Sequence, residues 1–294
     1  MMNNLQYRHV DVFSDTPFSG NGLTVFVLET ELSAAAMQTV TQEMRQFESI
    51  FLTPTAAPNE FRARVFTMEE ELDFAGHPTL GAACVLHEKF GSATRADWRI
   101  ALNAKTVAVE TVRNGANFKA SMEQGKPEFG AIIEGEKRSA FVRALNLSES
   151  DLADNLPLEI ISTGLPYLIV PLKRNLESAR IIVPNFEEML AEFGAKFVYV
   201  FELSKMEGRT WDNFGLVEDV ATGSAAGPMS AFLVKHGICQ PETEFVLHQG
   251  SFLMRPSKLF VKVGGTRENF SSVKVAGDVC LIASGRFDDD ILSI

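Results

Sequence analysis

Three titratable residues stand in company suited to acid–base chemistry. Glu48 heads Glu48-Ser49-Ile50-Phe51-Leu52, an otherwise apolar, strand-like run. A carboxylate there is partly desolvated and so suited to proton transfer, unless it is only a solvated acid at a strand end. His77 lies between Gly76 and Pro78 at the start of an apolar helical run, where catalysis and a capping role are both open. Asp219 follows Glu218 and leads into Val220-Ala221-Thr222-Gly223-Ser224-Ala225-Ala226-Gly227-Pro228, a loop poor in side chains. A helix starting at Ser224 aims the N–H groups around Thr222, Gly223 and Ser224 outward, where they suit an anion such as a carboxylate. Asp219 beside them is an acid or base, or only a helix-capping residue. The combination points to proton transfer on a small molecule that carries an anionic group.

The elements that must position these residues come in two similar sets. Ala75-Gly76-His77-Pro78-Thr79-Leu80-Gly81-Ala82-Ala83-Cys84 follows acids, crosses a small-residue loop and enters an apolar helix ending at Lys89-Phe90-Gly91. The loop after Asp219 does the same and ends at Lys235-His236-Gly237, with Gly past a cationic last turn. Ser224 lies 147 positions after His77, half the chain, and at that offset Trp98-Arg99-Ile100-Ala101-Leu102 aligns with Phe245-Val246-Leu247-His248-Gln249. Strand-like runs follow in both halves, at residues 105–111 and 258–263. An internal duplication is expected, with the two helix starts facing each other across a cleft.

Other strands are expected at residues 7–13, 23–28, 48–52, 61–67, 167–171 and 197–203, and helices at 33–45 and 186–193. Residues 125–154 are polar and turn-rich, with Pro127, Gly130 and Gly135, and read as a linker holding one short helix at 141–145. The expected organisation is therefore a first half at 1–124, a linker region at 125–154 and a second half at 155–294, with terminal strands free to cross over. The fold class is α+β, each half a curled, mostly antiparallel sheet around a central helix.

Composition narrows the function. At 294 residues, with 46% hydrophobic and 22% charged side chains, the chain is long enough for two ordinary cores. Its net charge of −11, from 27 basic against 38 acidic residues, carries no basic stripe and argues against nucleic acid. No signal-peptide pattern or long apolar run appears, so neither export nor a membrane is expected. Cys84, Cys239 and Cys280 are far apart and lack metal-ligand spacing, which fits a reducing cytoplasm without disulfides or a structural metal. No G-x-S-x-G, phosphate-loop or dinucleotide fingerprint is present.

At the level of motifs the chain resembles the phenazine-biosynthesis protein F-like (PhzF-like) family. The matching segments are Ser19-Gly20-Asn21-Gly22-Leu23-Thr24-Val25, Glu48-Ser49-Ile50-Phe51, Phe74-Ala75-Gly76-His77-Pro78 and Glu218-Asp219-Val220-Ala221-Thr222-Gly223-Ser224-Ala225. Ser162-Thr163-Gly164, Gln249-Gly250 and Arg255-Pro256-Ser257 look like its later signatures. The resemblance implies a diaminopimelate epimerase-like fold and a cofactor-free isomerase, usually a homodimer. It also implies a small cyclic or amino-acid-like carboxylate substrate, the family's characterised reaction being isomerisation of trans-2,3-dihydro-3-hydroxyanthranilate. Glu48 corresponds to the proton-shuttling glutamate, and His77 and Asp219 to its acid–base partners. Asn21, Gly76, Thr222, Gly223 and Ser224 correspond to substrate-binding positions. Gly22 and Val220 stand where the family often has Pro, which bears on pocket shape and not on the titratable groups. A two-thiol racemase of the same fold is disfavoured, because Cys84 falls inside a helix and neither loop carries a cysteine.

Overall fold

The computed structural model of the protein describes residues 5–288. The chain divides into two compact units, one made of residues up to 123 with those from 276 onward, the other of residues 124–275. The first contains β1 (Gln6–Val12), β2 (Asn21–Val27), α1 (Ala34–Met44), β3 (Glu48–Pro54), β4 (Glu60–Thr67), β5 (Glu71–Leu72), α2 (His77–Phe90), β6 (Arg95–Ala101) and β7 (Thr106–Asn114). The boundary then falls within β8 (Asn117–Gly125). The second unit contains β9 (Glu128–Ile133), α3 (Gly135–Ala144), β10 (Leu158–Ser162), β11 (Pro166–Leu172) and α4 (Phe186–Ala191). It continues with β12 (Phe197–Glu202), β13 (Glu207–Arg209), α5 (Gly223–Lys235), β14 (Glu244–Gln249) and β15 (Ser257–Gly265). The long β16 (Phe270–Arg286) carries the chain back into the first unit.

In the first unit the strand order is β1-β2-β3-β4-β6-β7-β8, with β16 beside β8 and also antiparallel to β1, so the strands close into a barrel. The interior is filled by α2, which packs against β1, β2, β3, β6 and β7 and is buried from His77 to His87. A Cβ on Gly81 would lie 2.6 Å from Leu23, so this glycine permits the close helix–strand approach. The outer face of β2, β3 and β4 carries a second core. There Phe26 and Phe51 stack at 4.7 Å under Met37 and Val40 of α1. Ser33 caps α1 by accepting the Ala36 N–H.

In the second unit the order runs β15-β14-β13-β12-β11-β10-β9, and α5 packs against β10, β11 and β15. Strands β10 to β12 are buried on both faces. Ile160, Leu168, Val170, Val198 and Val200 join a cluster with Phe141 of α3 and Phe186 of α4, while Tyr167 turns its hydroxyl to Ser224 of α5. Two-sided burial explains why these strands read as continuous apolar runs. Pairing is parallel at β2–β3, β4–β6, β11–β12 and β13–β14, and antiparallel at the more numerous remaining registers.

Residues 125–154 are not a free linker. They form the end of β8, all of β9 and α3, and bury Ile133, Phe141, Val142, Leu145, Leu147 and Leu152 in the core of the second unit. The turn residues there are genuine, with Gly125 and Gly135 both at positive φ, but they bound elements that pack. Residues 276–288 likewise belong with the first unit. Among the described residues no helix is long and apolar enough to cross a membrane, and no group of three or more His, Cys, Asp or Glu could hold a metal ion.

Candidate active site

In the first unit the start of α2 and the heads of β2 and β3 bring Asn21, Glu48 and His77 together. Period-two alternation in β3 puts Glu48 on the face shared by Ile50 and Leu52, opposite Phe51, which joins the outer core. That face looks onto α2, so the carboxylate meets His77 as the helix begins. Glu48 is 7% exposed and His77 3%. Asn21 Nδ2 lies 3.3 Å from His77 Nδ1, and Glu48 Oε2 lies 3.5 Å from the same nitrogen. Both groups thus approach Nδ1, while Nε2 has no hydrogen-bond partner among the described residues.

Burial pushes the His77 pKa down from 6.5 to about 3. The ring is therefore neutral near pH 7, and its approach to Glu48 is a contact of two polar groups, not an ion pair. The α2 start itself is open: Gly76 at the cap has no side chain, and Pro78 has no N–H to satisfy.

A pH dependence follows. In the unfolded chain the ring protonates near 6.5, whereas the folded state refuses the proton down to about 3. Stability is therefore expected to fall as the pH drops through that window. His77→Gln should flatten this acid slope, read from urea midpoints between about pH 7 and about pH 4. An unchanged slope would mean that the folded protein accepts the proton.

In the second unit Asp219, Thr222, Gly223 and Ser224 form one continuous turn into α5. The cap residue Thr222 makes no side-chain cap bond; its hydroxyl donates to Asp219 Oδ2. The Thr222 carbonyl accepts from Ala225 and Ala226 N–H, while the Gly223 and Ser224 N–H groups have no acceptor within the helix. Ser224 Oγ is 2.8 Å from Tyr167 Oη, and Gln124 holds the Gly223 carbonyl at 2.8 Å while accepting from Thr163.

The two acids that precede the loop part company. Glu218 takes a two-pronged bond from Arg209 Nε and Nη2 at 2.8 and 2.6 Å, with side chains 10% and 9% exposed. Arg209 Nη1 also donates to the carbonyls of Leu176, Glu177 and Ala179, and the guanidinium lies over Trp211 and Phe252. Glu218 is thus part of the scaffold, and Asp219 turns into the loop.

Several neighbours of the candidate site carry little local signal in the sequence. Gln249 and Gly250 stand out only as a family signature, and Tyr167, Tyr199, Gln124 and Arg209 do not stand out as site residues at all. The signal available for Gln249 is a buried amide at a strand end beside a glycine. Gly250 has φ +86, and a Cβ there would lie 2.7 Å from the Val220 carbonyl, so only glycine lets the loop and β14 meet. Cys84 is buried inside α2 with its thiol pushed well up by burial.

The family described as phenazine biosynthesis-like protein matches residues 10–285. The chain is 31% identical to the uncharacterized isomerase YddE of Escherichia coli O157:H7, covering 94% of this chain and 96% of that one. It is 32% identical to a trans-2,3-dihydro-3-hydroxyanthranilate isomerase of Pseudomonas fluorescens, covering 92% and 95%. Among solved structures, a predicted epimerase from Pseudomonas aeruginosa is 48% identical with TM-score 0.91, over 96% of this chain and 99% of that one. A probable proline racemase from Agrobacterium radiobacter K84 shares the fold at TM-score 0.63 and 11% identity, over 97% and 93%.

Proposed function

Since the chain belongs to the phenazine biosynthesis-like protein family and is an isomerase, we propose that it moves a proton on a small cyclic or amino-acid-like carboxylate without a cofactor. The observation that carries this reading is a carboxylate, Glu48, buried against the neutral ring of His77. A base of this kind lifts a proton from carbon and returns it to another carbon. The neutral ring, with its proton on Nε2, donates to charge that develops on the substrate without bringing a buried cation of its own. In this reading the Asn21 amide, 3.3 Å from Nδ1, donates to the ring and favours that tautomer. The open Gly223 and Ser224 N–H groups, with the Ser224 hydroxyl, suit the substrate carboxylate, and Asp219 serves as the second acid–base group. Gly76, Pro78 and Thr222 keep the two helix starts open for this. The recurrence of loop, helix and two strands at α2-β6-β7 and α5-β14-β15 supports an internal duplication as the origin of the two loops.

The test is exchange from heavy water. With trans-2,3-dihydro-3-hydroxyanthranilate as probe, enzyme-dependent uptake of deuterium at ring carbon together with a shifted double bond is expected. Uptake with inversion at one carbon of another small carboxylate would favour an epimerase, a reading to which the 48% identity with a predicted epimerase lends weight. No uptake with any of a panel of cyclic and amino-acid carboxylates would leave a binding protein and end the proposal.

A further inference from the structure

We propose that Gln249 is the positioning residue for Asp219: it fixes the direction in which the Thr222 hydroxyl points, and so which donor Asp219 receives. Gln249 ends β14 and is 1% exposed. Its Nε2 donates to the Asp219 carbonyl at 2.8 Å and to Thr222 Oγ1 at 3.0 Å. Its Oε1 accepts from the Thr222 N–H at 3.1 Å and from the Tyr199 hydroxyl at 3.2 Å. The amide's orientation is set by chemistry, since a backbone N–H can face only the oxygen. Burial raises the Tyr199 phenol above its usual range, so it stays protonated and remains a donor.

The consequence reaches Asp219 through one hydrogen atom. Thr222 Oγ1 has a single proton and already accepts from Gln249, so that proton is directed at Asp219 Oδ2. Side chain and backbone of Asp219 are thereby tied to one amide. The Asp219 N–H donates to the Thr210 carbonyl and completes the hold. A chain of donors running Gln249 to Thr222 to Asp219 is polarised in one sense, which strengthens its last bond. Among the ionisable groups around the network, Tyr167 on β11 and Glu207 on β13 act on Tyr199 of β12, and Glu218 is paired by Arg209.

This inference rests on the reading of Asp219 as an acid–base group, but its test does not need turnover. The full-length protein, labelled with ¹³C at aspartate carboxyls, is titrated by NMR, with the Asp219 signal assigned by its loss in Asp219→Asn. A donor to a carboxylate favours the charged form. Thr222→Val and Gln249→Met should therefore each move the Asp219 midpoint upward by about one pH unit, and Thr222→Ser should leave it in place. The double variant should shift no further than Thr222→Val alone, because both act through one hydroxyl.

A folded Gln249→Met with an unmoved midpoint, or an additive double variant, overturns the proposal. If Gln249→Met does not fold, the contrast of Thr222→Val with Thr222→Ser decides, and equal midpoints in the two overturn it. Should the shifts appear while Asp219→Asn retains full exchange activity, the acid–base reading of Asp219 fails and the positioning role of Gln249 stands.

Discussion

Glu48→Gln is expected to lower proton exchange into the substrate by at least ~10²–10⁴-fold, the usual cost of a missing general acid–base. The substitution keeps the shape of the side chain and its capacity to meet His77, so the fold should survive. Glu48 begins a strand whose next four residues are buried, and the neutral imidazole 3.5 Å away, its pKa pushed down to about 3, is too weak a base to take over. His77→Ala and Asp219→Asn should cost less if they orient the substrate and stabilise developing charge. The measurement is deuterium uptake from heavy water alongside turnover. Full exchange in Glu48→Gln would remove Glu48 from the mechanism, and with it the role that family resemblance assigns to that residue.

The second large effect is on stability. Arg209→Met strips Glu218 of its partner in a site where both side chains are about nine-tenths buried, and also leaves the carbonyls of Leu176, Glu177 and Ala179 without their shared donor. Removing one member of a buried pair costs about 3–5 kcal/mol, mostly because the remaining charge is uncompensated. Glu218→Gln keeps an acceptor for the guanidinium and should cost less; Arg209→Lys should fall between, since an ammonium cannot reproduce the planar fork. Chemical unfolding midpoints would rank the three. A loss below about 1 kcal/mol in Arg209→Met would place this pair with surface ion pairs and not with the scaffold. Because Glu218 adjoins Asp219, the same variant should loosen the loop that leads into α5.

Much of the candidate site was legible because it lies at the ends of strongly patterned elements. Glu48 at the head of an apolar strand, and His77 and Ser224 at helix starts after small-residue loops, are short-range facts that spacing exposes. The interactions that hold them are not short-range. Gln249 reaches Asp219 and Thr222 across about thirty positions, and Arg209 reaches back to residues 176–179, distances that no local pattern encodes. The segment 125–154 reads as a linker because Gly125 and Gly135 mark true turns while α3 shows only one apolar edge, at Phe141, Val142 and Ala144. The long β16 escaped for the opposite reason. Gly277, where a Cβ would strike the ring of Phe13, and Gly285 interrupt the alternation of a strand that is continuous in space.

That strand also sets an order of events as the chain is made. β1 pairs with β16 from Gln6 with Arg286 to Val12 with Val279, so two of the most remote segments are neighbours. The second unit, residues 124–275, is one uninterrupted stretch and can begin to fold as soon as it emerges. The first unit has most of its strands early but cannot close until β16 arrives. At ~5–20 residues per second of synthesis the interval is on the order of ten seconds. Throughout it β1 and β8 both stand as open edges beside an already apolar α2, the condition in which strands find wrong partners. Ribosome-associated chaperones would therefore matter most to the half of the molecule that is synthesised first.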